Sequence, residues 1–157
     1  MFEATGWAIV LAVVTAYRLR WWRSAPESRF FTTAFAILSA AYILAIPPVV
    51  NRVNHISLEL IGSATALLAS VLLATISFCA FTVIALQILT DSRRLDRYVG
   101  ALWIVGATVL VGSWSLSDIR HSPTLNTLSV TDLPGEIFAL TYSVLMIVTG
   151  LTSLVAT

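Results

Sequence analysis

Leu58–Leu89 reads LELIGSATALLASVLLATISFCAFTVIALQIL, and across its 32 residues the single formal charge is Glu59, at the start. The stretch contains no proline, and its one glycine is Gly62. Water offers such a segment no place unless other apolar elements cover it on every side. A lipid bilayer does, and about 20 apolar residues suffice to cross one. As a helix rising about 1.5 Å per residue it would be roughly 48 Å long, against a hydrocarbon core of about 30 Å. It is therefore predicted as one long transmembrane helix, tilted or protruding at one end, with the other spans packed around it.

Composition agrees. Hydrophobic residues make up 58% of the chain and charged residues 11%, where a soluble domain carries about 25% charged. A soluble chain of 157 residues has too little interior to hide that much apolar surface. The single cysteine, Cys79, lies mid-helix and reads as a small packed apolar residue, so neither an intrachain disulfide nor a cysteine metal cluster is available.

From the start, an apolar run follows Met1–Thr5 and ends at Tyr17. A secretory signal places positive charge before its apolar run. Here Glu3 precedes it and Arg18, Arg20 and Arg23 follow, so a retained first span is expected over residues 2–17. Arg18 and Arg20 extend it by snorkelling, with Tyr17, Trp21 and Trp22 at headgroup level. The connector RLRWWRSAPESR (Arg18–Arg29) contains Pro26, which breaks a continuous helix. A second, uncharged span is expected over 30–50, finishing at Pro47 and Pro48, then a short polar turn of Asn51, Arg52, Asn54 and His55. After the long helix (58–89) comes a basic connector, TDSRRLDRY (Thr90–Tyr98), and a fourth span over 99–116. Ser117–Glu136, with Pro123 and Pro134–Gly135, reads as a loop on the membrane surface. A fifth span covers 137–155, with Asp132 and Glu136 at its start, where negative charge suits the helix dipole. The expected fold is a single all-α domain, a polytopic transmembrane bundle of five spans over residues 1–157.

Alternation of five spans places Arg18, Arg20, Arg23, Arg29, Arg93, Arg94 and Arg97 on one side, and Arg52 and Arg120 on the other. Seven against two in short loops predicts the N-terminus outside and the C-terminus inside. Acidic residues divide as Glu27, Asp91 and Asp96 inside against Glu3, Glu59, Asp118, Asp132 and Glu136 outside. The inner face then carries 7 − 3 = +4 and the outer face 2 − 5 = −3, which recovers the formal net charge of +1. A cell membrane, inner or plasma, is the expected location.

Along the long helix Ser63, Ser70 and Ser77 recur every seven residues, and Ala66, Leu73 and Ala80 fall three after each. In lipid, small residues at this spacing let helices approach closely and exchange modest hydrogen bonds. Ser63, Ala66, Ser70, Ser77 and Ala80 are therefore expected to form a helix-packing seam, the alternative being a polar path for a substrate. Glu59 shares the face of Ser63. With an early helix start Arg52 and His55 lie on or near the same side, and a Glu59–Arg52 pair would be interfacial. Arg52, His55, Glu59, Asp118 and His121 thus form a candidate outer polar cluster. A sharper reading gathers His55, Glu59, Asp118, His121, Asp132 and Glu136 into a metal or proton sensor, but no spacing there matches a metal motif, and solvated loop charges are expected instead.

No Asp, Glu, Arg or His falls in the middle of any predicted span, which argues against an ion-coupled transporter. No phosphate-binding glycine loop or histidine–glutamate zinc helix appears. Intramembrane proteolysis needs a buried base, and both histidines, His55 and His121, fall at the surface. The basic loops suit anionic lipid rather than nucleic acid. No catalytic residue and no cofactor are expected.

RLRWWRSAPESRFFTTAFAILSAAYILAIPPVVNRVN (Arg18–Asn54), with a small-residue-rich helix after it, resembles the N-terminal membrane region of an actinobacterial family classed as transporters of unknown function. The similarity rests on the Arg18–Arg29 connector, on Ala45-Ile46-Pro47-Pro48 with Arg52 beyond, and on Leu133-Pro134. It implies a bacterial membrane protein and no site residue. The expected function is a non-enzymatic accessory or sensory module in a membrane assembly. Lipid and either other membrane proteins or a second copy are its expected partners. A small transporter using the serine-lined face is the alternative.

Overall fold

The computed structural model describes residues 2–25, 28–90, 93–121 and 132–155. Among them the chain is all helix and turn: α1 (Phe2–Leu19), α2 (Arg29–Leu44), α3 (Pro47–Ile61), α4 (Ala66–Thr90), α5 (Arg93–Leu116), a 3-10 turn (Asp118–His121) and α6 (Leu133–Val155). Pro26, Glu27, Asp91 and the surface loop expected around Pro123 lie outside the described residues.

The deciding stretch is not one helix. α3 ends at Ile61, and Gly62 takes the left-handed conformation (φ 68°), its N–H donating to the Leu58 carbonyl. Such a cap suits glycine, which has no Cβ to clash. Residues 63–65 are non-helical, and α4 begins at Ala66. The second expected span is also divided. α2 stops at Leu44, Ile46 is extended (φ −69°, ψ 127°), and Pro47 opens α3 instead of closing α2. The reason is steric. Proline disfavours a helical conformation in the residue before it, yet fits the first helical turn, where its missing N–H has no helical partner to lose. The expected polar turn at Asn51–His55 is accordingly helical, and α3 leaves α2 at 79°. Elsewhere the differences are small. α5 starts six residues earlier than expected, and α6 includes Leu133 and Pro134 in its first turn.

Three helical stretches are long and apolar enough to cross a membrane: Ala66–Thr90, Arg97–Leu116 and Leu133–Val155. The bent α2–α3 pair passes the same test jointly, and α1 contains a shorter apolar stretch, Thr5–Leu19. This is a membrane protein by the character of its surface as well. Ile9, Ile104, Leu140 and Leu154 are all at least 60% exposed on the outside of the bundle, a state that lipid, unlike water, accommodates.

α4 is the central element, packed against α2, α5 and α6, with α1 packed on α2. It contributes to two apolar clusters. Ala74 meets Leu11, Leu38 and Ala41 from α1 and α2, and Val71 meets Trp103, Leu110, Trp114, Phe138 and Leu145 from α5 and α6. Where α5 crosses α6, a Cβ on Gly106 would stand 3.0 Å from the Leu145 Cδ1, so the missing side chain is what allows the approach. The antiparallel alternation puts α3 and the 3-10 turn at one end of the bundle, and the last turns of α1 and α4 at the other.

Candidate functional site

The serines of α4 face α2. Ser70 Oγ donates to the Ala41 carbonyl and Ser77 Oγ to the Ala34 carbonyl, each at 2.8 Å. A step of seven residues forward on α4 is matched by seven backward on α2, the register of two antiparallel helices. Ala34 and Ala41 are almost fully buried (2% and 1% exposed); their methyl groups are small enough to let a serine reach the backbone behind them. The Ala34/Ala41 heptad on the partner helix was readable in the sequence, but only after α2 and α4 are known to be neighbours.

The seam differs from its expected extent at one end. Ser63 lies in the break before α4 and not on the helix. Ala66 is wholly buried at the helix start, Ser77 is wholly buried, and Ala80 is half-buried. A second hydroxyl pair, which the serine periodicity misses, joins α4 to α6: Thr82 Oγ1 and Thr149 Oγ1 are 3.2 Å apart and buried. Each also lies within reach of its own helix carbonyl four residues back, Phe78 and Leu145. One hydroxyl can therefore donate across the interface while the other donates along its helix.

The start of α4 is held from outside. The first amides of a helix have no helical acceptors, and burial makes an unpaired one costly. Ala64 N–H donates to the Arg120 carbonyl (2.6 Å), Thr65 N–H to Ser57 Oγ (3.2 Å) and Ala66 N–H to Asn54 Oδ1 (2.9 Å). Asn54 is 2% exposed. Asn54, which reads as part of a polar turn, thus caps the next helix from α3, together with Ser57.

The candidate polar cluster is divided by this arrangement. On α3, Glu59 pairs with His55 (Nδ1 to Oε1, 3.1 Å) and not with Arg52, and both side chains are about two-thirds exposed or more (72% and 67%). So exposed a contact contributes little to stability. Asp118 and His121 belong to the 3-10 turn after α5. There Arg120 is anchored to the Ser115 carbonyl (2.7 Å), and its Nε donates to His121 Nε2 (2.9 Å). Asp118 N–H donates to Asp132 Oδ2 at 3.2 Å. The Ser117 hydroxyl holds the Asp132 carboxyl below its ordinary pKa, against an opposing effect of desolvation, and backbone N–H groups including that of Asp118 lower it further. Among the described residues no three of His, Cys, Asp and Glu converge on a point that a metal ion could occupy.

At the opposite end Arg18 lies against α2, its Nε 3.4 Å from Thr32 Oγ1 and its guanidinium 5.5 Å from the Phe31 ring centroid. Arg29 bonds the Trp22 carbonyl (3.0 Å) and covers the Trp22 ring. These arginines fasten the first connector as well as carrying charge. Comparison with protein-family models, curated proteins and solved structures finds no match to this chain.

Proposed function

We propose that this chain is a non-enzymatic accessory or sensory module of a cell-membrane assembly. It crosses the membrane five times, through α1, α2, α4, α5 and α6, with its N-terminus outside and its C-terminus inside. The observation that carries the functional reading is the use made of the α4 hydroxyls. Ser70 and Ser77 donate to α2 carbonyls at 2.8 Å, so the polar groups that a substrate path would need are engaged in holding two helices together. A small transporter with its path along the serine-lined face is the competing reading, and it would need these hydroxyls turned toward a substrate. The seven-to-two arginine split supports the orientation.

Two experiments test this reading. Reporter fusions after Arg23, Arg97 and Thr157 are expected to report cytoplasm in all three cases; an exterior signal at Thr157 alone overturns the five-crossing count. Protein purified in mild detergent is expected to retain a stoichiometric membrane partner or a second copy. Liposomes containing this chain alone are expected to show no saturable solute flux. A flux abolished by Ser77→Leu in a variant that still folds would establish the transporter instead.

A further inference from the structure

α3 presents three faces. Taken at about 100° per residue, Val50 and Asn54 point into the bundle and are almost fully buried, at 1% and 2% exposed. Asn51, Arg52, His55 and Glu59 form an exposed polar strip. Between them lies an apolar face on which Ile56 and Leu60 are 50% and 77% exposed, beside a shallow groove of about 280 Å³ lined by Val53, Ile56, Ser57, Leu60 and Ile61. We propose that α3 is an in-plane interfacial helix, its Val53–Ile56–Leu60 face seated in lipid at the boundary between headgroups and acyl chains.

Three independent features point to lipid as the occupant. α2 has 16 residues, about 24 Å of helix, so it nearly spans the hydrocarbon core of about 30 Å before the chain turns by 79°. A helix at that angle to a crossing helix runs along the membrane surface. Its height is fixed, because Asn54 and Ser57 hold the first amides of α4. Residues 63–65, which are non-helical, belong at a level where water or protein satisfies their backbone, not in open hydrocarbon. Finally, the polar strip lies opposite the combined buried and bare apolar arc, the division expected of a helix half-sunk in an interface. Arg52 and Glu59 balance one another, so apolar burial and not attraction to anionic headgroups provides the binding, and lipid charge is expected to matter little.

Spin labels at single cysteines test this in nanodiscs, with Cys79→Ala as background. Val53→Cys, Ile56→Cys and Leu60→Cys are expected to show high oxygen and low nickel-chelate collision rates. Arg52→Cys, His55→Cys and Glu59→Cys are expected to show the reverse, with or without phosphatidylglycerol. Immersion depth is expected to stay level from 53 to 60. A helix descending into the bilayer would instead deepen by about 10 Å over those seven residues, which overturns the proposal. So does nickel access on every face, which means water, or low access to both reagents on the apolar face, which means a protein partner or a second copy. If the cysteine-free background does not fold, benzoylphenylalanine at 56 and 60 with Cys79 retained gives a second readout. Adducts to lipid support the proposal, and adducts to protein or none at all overturn it.

Discussion

Ser77 offers the sharpest measure of what holds the bundle together, because its hydrogen bond and its size make separable contributions. Its hydroxyl donates to the Ala34 carbonyl at 2.8 Å, and the side chain is wholly buried against an alanine that is 2% exposed. Ser77→Ala removes the bond and leaves the close approach intact. The Ala34 carbonyl remains available to its own helix, so no polar group is orphaned. The loss is expected near the average for such bonds in a membrane protein, about 0.6 kcal/mol and at most about 1.7 kcal/mol. Ser77→Leu loses the same bond and forces a larger side chain into a filled interface, adding about 1–3 kcal/mol. Ile76, next in sequence but 54% exposed, faces away, and Ile76→Phe is expected to change stability by less than about 0.5 kcal/mol. Reversible unfolding in mixed micelles with increasing SDS measures all three. If Ser77→Leu proves as mild as Ile76→Phe, α4 does not pack on α2 through this face. A loss well above 2 kcal/mol in Ser77→Ala would instead mean that the hydroxyl satisfies a group that has no other partner.

Asn54→Leu removes the acceptor for the Ala66 amide and is expected to cost about 1–3 kcal/mol. Hydrogen exchange should then accelerate first at residues 64–66 and leave the middle of α4 protected. Gly106→Ala places a methyl group 3.0 Å from Leu145 Cδ1. Because the obstacle is the end of a flexible side chain, a loss of at most about 1–3 kcal/mol is expected in the same unfolding assay, and Leu145→Ala in the same chain should relieve part of it. The Asp132 carboxyl has a folded pKa below its unfolded value, so its contribution to stability is fully present above the ordinary aspartate range. It is lost as pH falls through that range toward the lowered folded value. Melting temperature measured downward from neutral pH should fall less steeply in Asp132→Asn than in the parent.

The helical, membrane-embedded character of this chain was legible because the bilayer imposes a local requirement. An apolar stretch long enough to cross must satisfy its own backbone, and Ala66–Thr90 carries that requirement in its composition alone. The small faces of Ser70 and Ser77 were legible for the same reason, since heptad spacing is a property of one helix. Other features depended on knowing which helices meet. Ala34 and Ala41 become informative only once α2 lies against α4, and the Thr82–Thr149 pair joins positions 67 residues apart.

The junction at Gly62 shows where local reading ends. Glycine is tolerated inside transmembrane helices as readily as it caps them, and Pro47–Pro48 suits the start of a helix as well as the stretch beyond one. From the chain alone, a long helix over 58–89 and a polar turn before it were therefore consistent. The chain's own pattern determined the apolar runs, the arginine asymmetry and the spacing of small residues, because each follows from the solvent and the helix period. The tertiary structure alone decided where the long run breaks. Asn54, Ser57 and the Arg120 carbonyl supply acceptors to the start of α4, and those groups reach it only when α3 and the end of α5 are already in place.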